Sequence, residues 1–559
     1  MASKIVKGSV IIFLGNIIFR VGGYIYRFLM ASLLGPAAYG ILGLTTPFQG
    51  IFQILSAGGL PPAIAKYAAE YNALEEYDLA RQTVYTSLKI MVILGIFFGF
   101  VMVFIAAPWI AYDIFNKPIS LLPLQAVGLI TPFSVIVGAF RGAFQSVYKM
   151  EYILYTRAIE QIVMILGATA LVLIGLSTFG AVLGSVLGFI ASSISAIYIF
   201  KKFMNKYLPP KSPGFEFSFK QELSLAKTLI LFAIPVSITA LAEMGIYSAC
   251  TLIMGVFLTS SLIGYFTAAD PIARLPLVVS NSLATTILPA VSEAYAIKNR
   301  PLLEKYVTDT YKYGMFFVIP MCVGIAVFAK SIMGLVYFTN SSYMNGAIAL
   351  SILVIGMTFY SVYAMSASIV QGIGNPRIPM YILIVGTIVT AIVGWYLIPI
   401  YGIEGGALAT TISSILMMIP MVYFTNKITE TKPPFKFLIK IIIASLVMAI
   451  PALILPASTI GLVVGIILGI IIYFVMILVL KTLSHDDVVQ FRGFASKFGP
   501  LSKFANKFLD FADKFTNNDE FGMTYEELES YETSRLENIE KAGKTKSGHD
   551  GECIEDSEE

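Results

Sequence analysis

An all-α membrane protein of about 14 transmembrane helices, two pseudo-symmetric six-helix lobes plus two C-terminal helices, is predicted by three observations on the sequence. The first is composition: of 559 residues 57% are apolar and only 13% charged, with a mean hydropathy of +0.80, whereas a soluble domain is about a quarter charged. The second is the recurrence of apolar runs of about 20 residues, the length that crosses a bilayer as a helix. The third is that Lys and Arg fall almost entirely into alternate loops.

Composition also excludes several classes of protein. Cys250, Cys322 and Cys553 are too few and too far apart for a disulfide scaffold. Both histidines, His485 and His549, lie near the C-terminus, so no step inside the membrane uses imidazole as proton carrier or metal ligand. No metal, no catalytic cluster and no nucleic-acid partner is expected, and the chain does not read as an enzyme.

Apolar runs bounded by charge, Pro or Gly place spans at 8–34, 37–60, 86–111, 119–145, 153–176, 178–200, 228–257, 260–290, 311–337, 344–371, 378–400, 404–426, 437–456 and 459–480. An even number puts both termini on one side. Before the tail, twenty-three Lys and Arg fall on that side and only Lys117 and Lys330 on the other, so both termini are expected in the cytoplasm of a multi-pass protein of the cell (plasma) membrane. Only seven residues precede the first span and no small-residue cleavage site follows it, which reads as a retained helix.

A repeat divides the spans into two lobes. Gly40 and Pro47 in LLGPAAYGILGLTTPF match Gly264 and Pro271 in FLTSSLIGYFTAADPI at an offset of 224, and similar offsets relate 152–154 to 381–383 and Gly180, Gly184 to Gly402, Gly406. The expected domains are 1–204 (helices 1–6), a cytoplasmic linker 205–227 containing Pro209, Pro210, Lys211 and Pro213, 228–427 (helices 7–12), and 428–482 (helices 13–14). Transporters built from such repeats bind their substrate between the halves. Residues 483–516 carry Phe at spacings of three or four with Lys between them, the pattern of an amphipathic cytoplasmic helix. In 517–559, fourteen Asp and Glu stand against four Lys and Arg, a composition expected to be disordered.

Ionisable groups deep in spans cost roughly 2.5–3.5 kcal/mol each on insertion scales and therefore mark candidate sites. Asn16, Arg20, Gly23 and Arg27 share one face of span one. In span eight, Asp270 and Arg274 are one turn apart, acid first, which suits an intrahelical ion pair. Pro271 and Pro276 bracket that pair, so the helix is expected to bend there, and Asn281 extends its polar face. Glu243 in span seven is placed to bind a cation or proton, or to hydrogen-bond within the bundle. Glu160, near the end of span five, is expected to snorkel to water. Guanidinium groups grip phosphate oxygens bidentately. Arg20, Arg27 and Arg274, read as corresponding positions of the two lobes, therefore predict an anionic, phosphate-rich substrate headgroup.

The segments FRVGGYIYRFLMASLLG, GGLPPAIAKYAAE (58–70), RGAFQSVYKMEYILYTRAIEQ (141–161), LPAVSEAYA (288–296) and QGIGNPRIPMYI (371–382) resemble the polysaccharide flippases of the multidrug/oligosaccharidyl-lipid/polysaccharide exporter superfamily. Within it the sequence is most similar to the group of sporulation stage V protein B and the lipid II flippase, over residues 5–480. The resemblance implies alternating access and export of a polyprenyl-linked sugar (di)phosphate, its tail held in lipid beside spans one and eight. It further implies substrate contacts at Arg20, Arg27, Arg274, Asn16 and Asn281 and gating or coupling at Asp270 and Glu243. No cofactor is expected beyond a coupling ion, Na+ or H+; cell-envelope glycosyltransferases are the expected protein partners. Two other readings use the same features: a cation-coupled multidrug exporter of the same fold, and a membrane glycosyltransferase or ligase.

Overall fold

The computed structural model describes residues 2–209, 212, 215–456, 458–495, 507, 509–516, 527, 530, 531 and 534, with side chains from residue 21 onward except at 453 and 493–495. The Asn16 and Arg20 side chains, Pro210, Lys211, Pro213, residues 496–506 and 508 of the amphipathic segment and most of the acidic tail lie outside that description. The described chain is helical, without strands. In chain order the main helices are α1 (Ala2–Ser56), α2 (Leu60–Ala73), α3 (Tyr77–Ile114), α4 (Leu121–Ser146), α5 (Met150–Leu171), α6 (Ser177–Phe203), α7 (Phe219–Phe257) and α8 (Ser260–Ala273). They continue with α9 (Leu277–Ala296), α10 (Arg300–Val327), α11 (Ala329–Val336), α12 (Ala347–Gly372), α13 (Arg377–Thr429), α14 (Phe435–Met448), α15 (Thr459–Val479) and α16 (His485–Ala495).

Among the described residues ten helical stretches are long and apolar enough to cross a membrane, eleven when α8 and α9 count as one broken span. Three of the stretches are interrupted by backbone with positive φ: at Gly35 in α1 (71°), at Gly175 and Ser177 between α5 and α6 (98° and 47°), and at Gly402 in α13 (62°). Each interruption falls where one predicted span gives way to the next. Glycine reaches this region without steric cost, and Pro36 immediately after Gly35 favours a fresh helical start. Span eight is broken between Ala273 and Leu277, because Pro276 cannot donate to a carbonyl one turn earlier.

One boundary differs markedly from expectation. The helix of span nine starts at Arg300, eleven residues before the predicted start at 311. Charged residues there depress the local hydropathy: Lys305 is buried and Asp309 half-buried, and each faces an opposite charge.

The chain divides into two compact units. The first comprises Met1–Leu275, Phe328–Met357 and Met380–Met417. In it, α1 and α8 cross at the matching glycines of the repeat: a Cβ on Gly40 would lie 1.9 Å from the Ser260 carbonyl oxygen, and one on Gly264 would lie 2.0 Å from the Pro36 carbonyl oxygen. Small residues let membrane helices approach this closely. Beside the crossing, Tyr337 donates to the Ala268 carbonyl (2.9 Å) and Tyr343 to the Ala31 carbonyl (2.8 Å), both tyrosines fully buried. Lys117, one of the two cations expected outside the cell, caps the end of α7 by donating to the Gly255 carbonyl at 2.5 Å, and burial lowers its pKa.

The second unit comprises Pro276–Val327, Thr358–Pro379 and Met418–Glu559. One end of it is locked by α16, which lies in the segment expected to be an amphipathic helix. Asp487 receives the Lys312 ammonium at 2.7 and 2.9 Å, the Tyr313 hydroxyl at 2.8 Å and the Ser484 N–H at 2.9 Å. Lys305 bridges Asp486 and Asp309, and Gln490 donates to Asp309 at 3.2 Å. Burial pushes the Asp487 carboxyl up, but the Lys312 charge and the hydrogen bonds from Lys312, Ser484 and Tyr313 outweigh it and hold the pKa below the ordinary carboxylate value.

Candidate functional site

The site follows from three interruptions of apolar helix in the first unit. Span one presents Gly23, Tyr26 and Arg27; the second half of α1 presents Thr45, Thr46 and Gln49 around Pro47; and α8 ends in Asp270 and Arg274. Together with Gln161 on α5, Ser185 on α6 and Tyr247, Ser248 and Thr251 on α7, these residues surround a cavity of about 350 Å³. That volume falls within the range of small-molecule sites.

Two of the three arginines singled out in the sequence face this cavity, and they differ in state. Arg274 is satisfied: its Nε and Nη2 donate to Asp270 Oδ1 at 2.9 and 2.6 Å, Nη2 also reaches the Tyr247 carbonyl at 3.1 Å, and the guanidinium sits 4.2 Å from the Tyr247 ring centroid. The intrahelical pair expected from the spacing is therefore formed, with the ring of Tyr247 adding cation–π attraction. Arg27 is exposed to the cavity and has no hydrogen-bond or ion-pair partner among the described residues. With Asp270 cancelling Arg274, the described lining carries one uncompensated positive charge.

The arginines are not at equivalent positions of the repeat. An offset of 224 relates Arg27 to Thr251 and Thr46 to Asp270, and all four of these residues line the cavity. Pseudo-symmetry thus brings equivalent positions together while giving them different chemistry.

A model described as "Polysaccharide biosynthesis protein" matches residues 5–295, more than half of the chain. The chain belongs to that family. A model described as MatE matches residues 235–397. Lipid II flippase MurJ of Bacillus subtilis is 22% identical over 454 residues, covering 75% of this chain and 82% of its own length. Stage V sporulation protein B of the same organism is 25% identical over 434 residues, covering 74% and 81%. Among solved structures, that of "Lipid II flippase MurJ, inward closed conformation" superposes with a TM-score of 0.67 at 17% identity, over 84% of this chain and 98% of that one. At such identity the likeness is one of fold.

Glu243 is exposed on α7, without a partner among the described residues and outside the cavity lining; Tyr247 and Thr251, which do line it, follow one and two turns later on the same face. Asn281 is half-buried on α9 in the second unit and is not a lining residue. Glu160 does not snorkel: it is buried and accepts from Arg141 Nη2 at 2.7 Å, while that guanidinium also bonds Thr156 and Ser192. Its partner lies on α4, which the linear sequence conceals. Sequence reasoning missed Gln161, Thr267, Tyr26 and Tyr39, all in the lining, because neutral polar and aromatic residues do not stand out in an apolar span.

Proposed function

We propose that this protein is a flippase that translocates a polyprenyl-(di)phosphate-linked oligosaccharide or cell-wall precursor across the cytoplasmic membrane, by alternating access of the repeat-related lobes 1–204 and 228–427. The observation that carries the reading is the unpaired Arg27 guanidinium on a cavity whose other arginine is neutralised. In a low-dielectric site a free guanidinium calls for an anion, and its planar fork fits phosphoryl oxygens two at a time. Relatives named as flippases, and the family description itself, support the same class of cargo.

The Asp270–Arg274 pair supplies a means of coupling. A second phosphoryl group entering the cavity competes with Asp270 for Arg274, and the displaced carboxylate then takes a proton or Na+. Glu243, one turn from Tyr247, is the other carboxylate available for this role. Ion and headgroup thereby become linked ligands, each biasing the lobes toward one state.

The MatE match over 235–397 favours a second reading, a multidrug exporter on the same fold. A cationic drug, however, would enter a cavity of formal charge +1. Native mass spectrometry of the purified protein against polyprenyl diphosphate, polyprenyl monophosphate, an uncharged polyprenol and a cationic dye distinguishes the two. The flippase reading expects binding in that order of strength, with the dye weakest; preferential capture of the dye would establish the exporter instead.

A further inference from the structure

Gln161 presents a buried donor with nothing to donate to. The residue is 6% exposed, lines the same cavity as Arg27, and its Nε2 has no hydrogen-bond partner among the described residues. Leaving a buried amide unpaired is costly, and native proteins keep few such groups without a reason. The site is also built to admit this side chain: a Cβ on Gly22 would lie 2.6 Å from Gln161 Cγ, so only glycine at that point of α1 leaves room for it. The adjacent carboxylate is no competitor, because Glu160 is held by Arg141. A second orphan on the cavity wall, Thr267 Oγ1, likewise lacks a partner.

We infer that Gln161 is a specificity-determining residue of the headgroup site, donating through Nε2 to a phosphoryl oxygen held at the same time by Arg27. The inference rests on the flippase reading and deepens it. Arg27 supplies charge, which any anion satisfies; Gln161 supplies a directional donor, which rewards an acceptor at one place. A phosphoryl oxygen that reaches Nε2 pairs the orphaned amide and removes the cost of its burial. A cation offers the donor nothing, so the same residue selects against cationic drugs.

Two substitutions separate this role from a structural one. Gln161→Met keeps the length and removes the donor; Gln161→Glu keeps the shape and replaces the donor with an acceptor carrying negative charge on the Arg27 cavity. The readouts are melting temperature without ligand and affinity for sugar-free polyprenyl diphosphate by native mass spectrometry. Gln161→Met is expected to melt at or above the wild-type temperature, since a buried orphan is replaced by an apolar group, and to bind the diphosphate about tenfold more weakly, as loss of one hydrogen bond to a charged group predicts. Gln161→Glu is expected to bind more weakly still. Wild-type affinity in Gln161→Met, or a melting temperature lowered by several degrees, overturns the inference. Arg27→Ala, measured alongside, keeps the two readings apart. If it abolishes binding while Gln161→Met does not, only the role of Gln161 falls; if it binds as wild type, the headgroup site itself falls.

Discussion

Replacing Asp487 with alanine removes the acceptor for four hydrogen bonds and the counterion of a buried lysine. The side chains of Lys312 and Asp487 are 6% and 1% exposed, and the Lys312 ammonium also lies 5.4 Å from the Phe437 ring centroid. Breaking a buried pair from one side costs about 3–5 kcal/mol, because it strands a charge in low dielectric. At roughly 2–4 °C per kcal/mol for domains of about 150–250 residues, the melting temperature in detergent should drop by several degrees at least. Asp487→Leu combined with Lys312→Met should recover most of that loss, since replacing both partners by apolar groups is often neutral. The pair also sets an acid limit. The folded pKa of Asp487 lies below its unfolded value, so its stabilisation is fully present above the ordinary carboxylate range and is lost as pH falls through the lowered value. Circular dichroism melts of the three proteins at neutral and acid pH provide the assay. An Asp487→Ala protein that melts within a degree of wild type would refute the view that α16 is locked onto α10 by buried charge.

Other expectations concern the first unit and the topology. Alanine at Gly40 or Gly264 would place a Cβ about 2 Å from a facing carbonyl oxygen, so either variant should yield far less folded, membrane-inserted protein; Gly23→Ala, which has open space around it, should be made normally, and size-exclusion profiles of the three provide the comparison. Glu160→Ala strands Arg141 and should cost about 3 kcal/mol by thermal melting, with Glu160→Gln costing less. Cysteines introduced near Lys117 should react with an impermeant thiol reagent in intact cells, while those near Lys211 should not; the reverse pattern would invert the topology.

Much of the fold was legible because the bilayer imposes a length on every helix that crosses it. The interruptions at Gly35, Gly175 and Gly402 were marked in the sequence by glycine between two apolar runs, and the broken span eight by Pro276. The early start of α10 was hidden, since Lys305, Asp309 and Lys312 look like ordinary cytoplasmic residues until Asp486 and Asp487, some 175 residues later, fold back onto them. Those acids in turn look like nothing more than favourable charges at a helix N-terminus. In the site, Arg27, Asp270 and Arg274 stood out because ionised groups are expensive in apolar spans. That Arg274 is neutralised and Arg27 is not depends on which side chains meet across helices, which composition does not record. Gln161 carried no charge to draw notice; a polar amide immediately after Glu160 in an apolar helix was the only signal.

The claim at the centre of this account is that the free guanidinium of Arg27 holds the phosphorylated headgroup during translocation. Transport of a fluorescent polyprenyl diphosphate-linked sugar by purified protein in liposomes tests it directly. Arg27→Ala is expected to lower the rate by about tenfold or more, the loss of a charge-assisted contact, with insertion and melting temperature unchanged, and Arg27→Lys is expected to restore little of it because a point charge lacks the bidentate fork. Wild-type transport by Arg27→Ala would contradict the account.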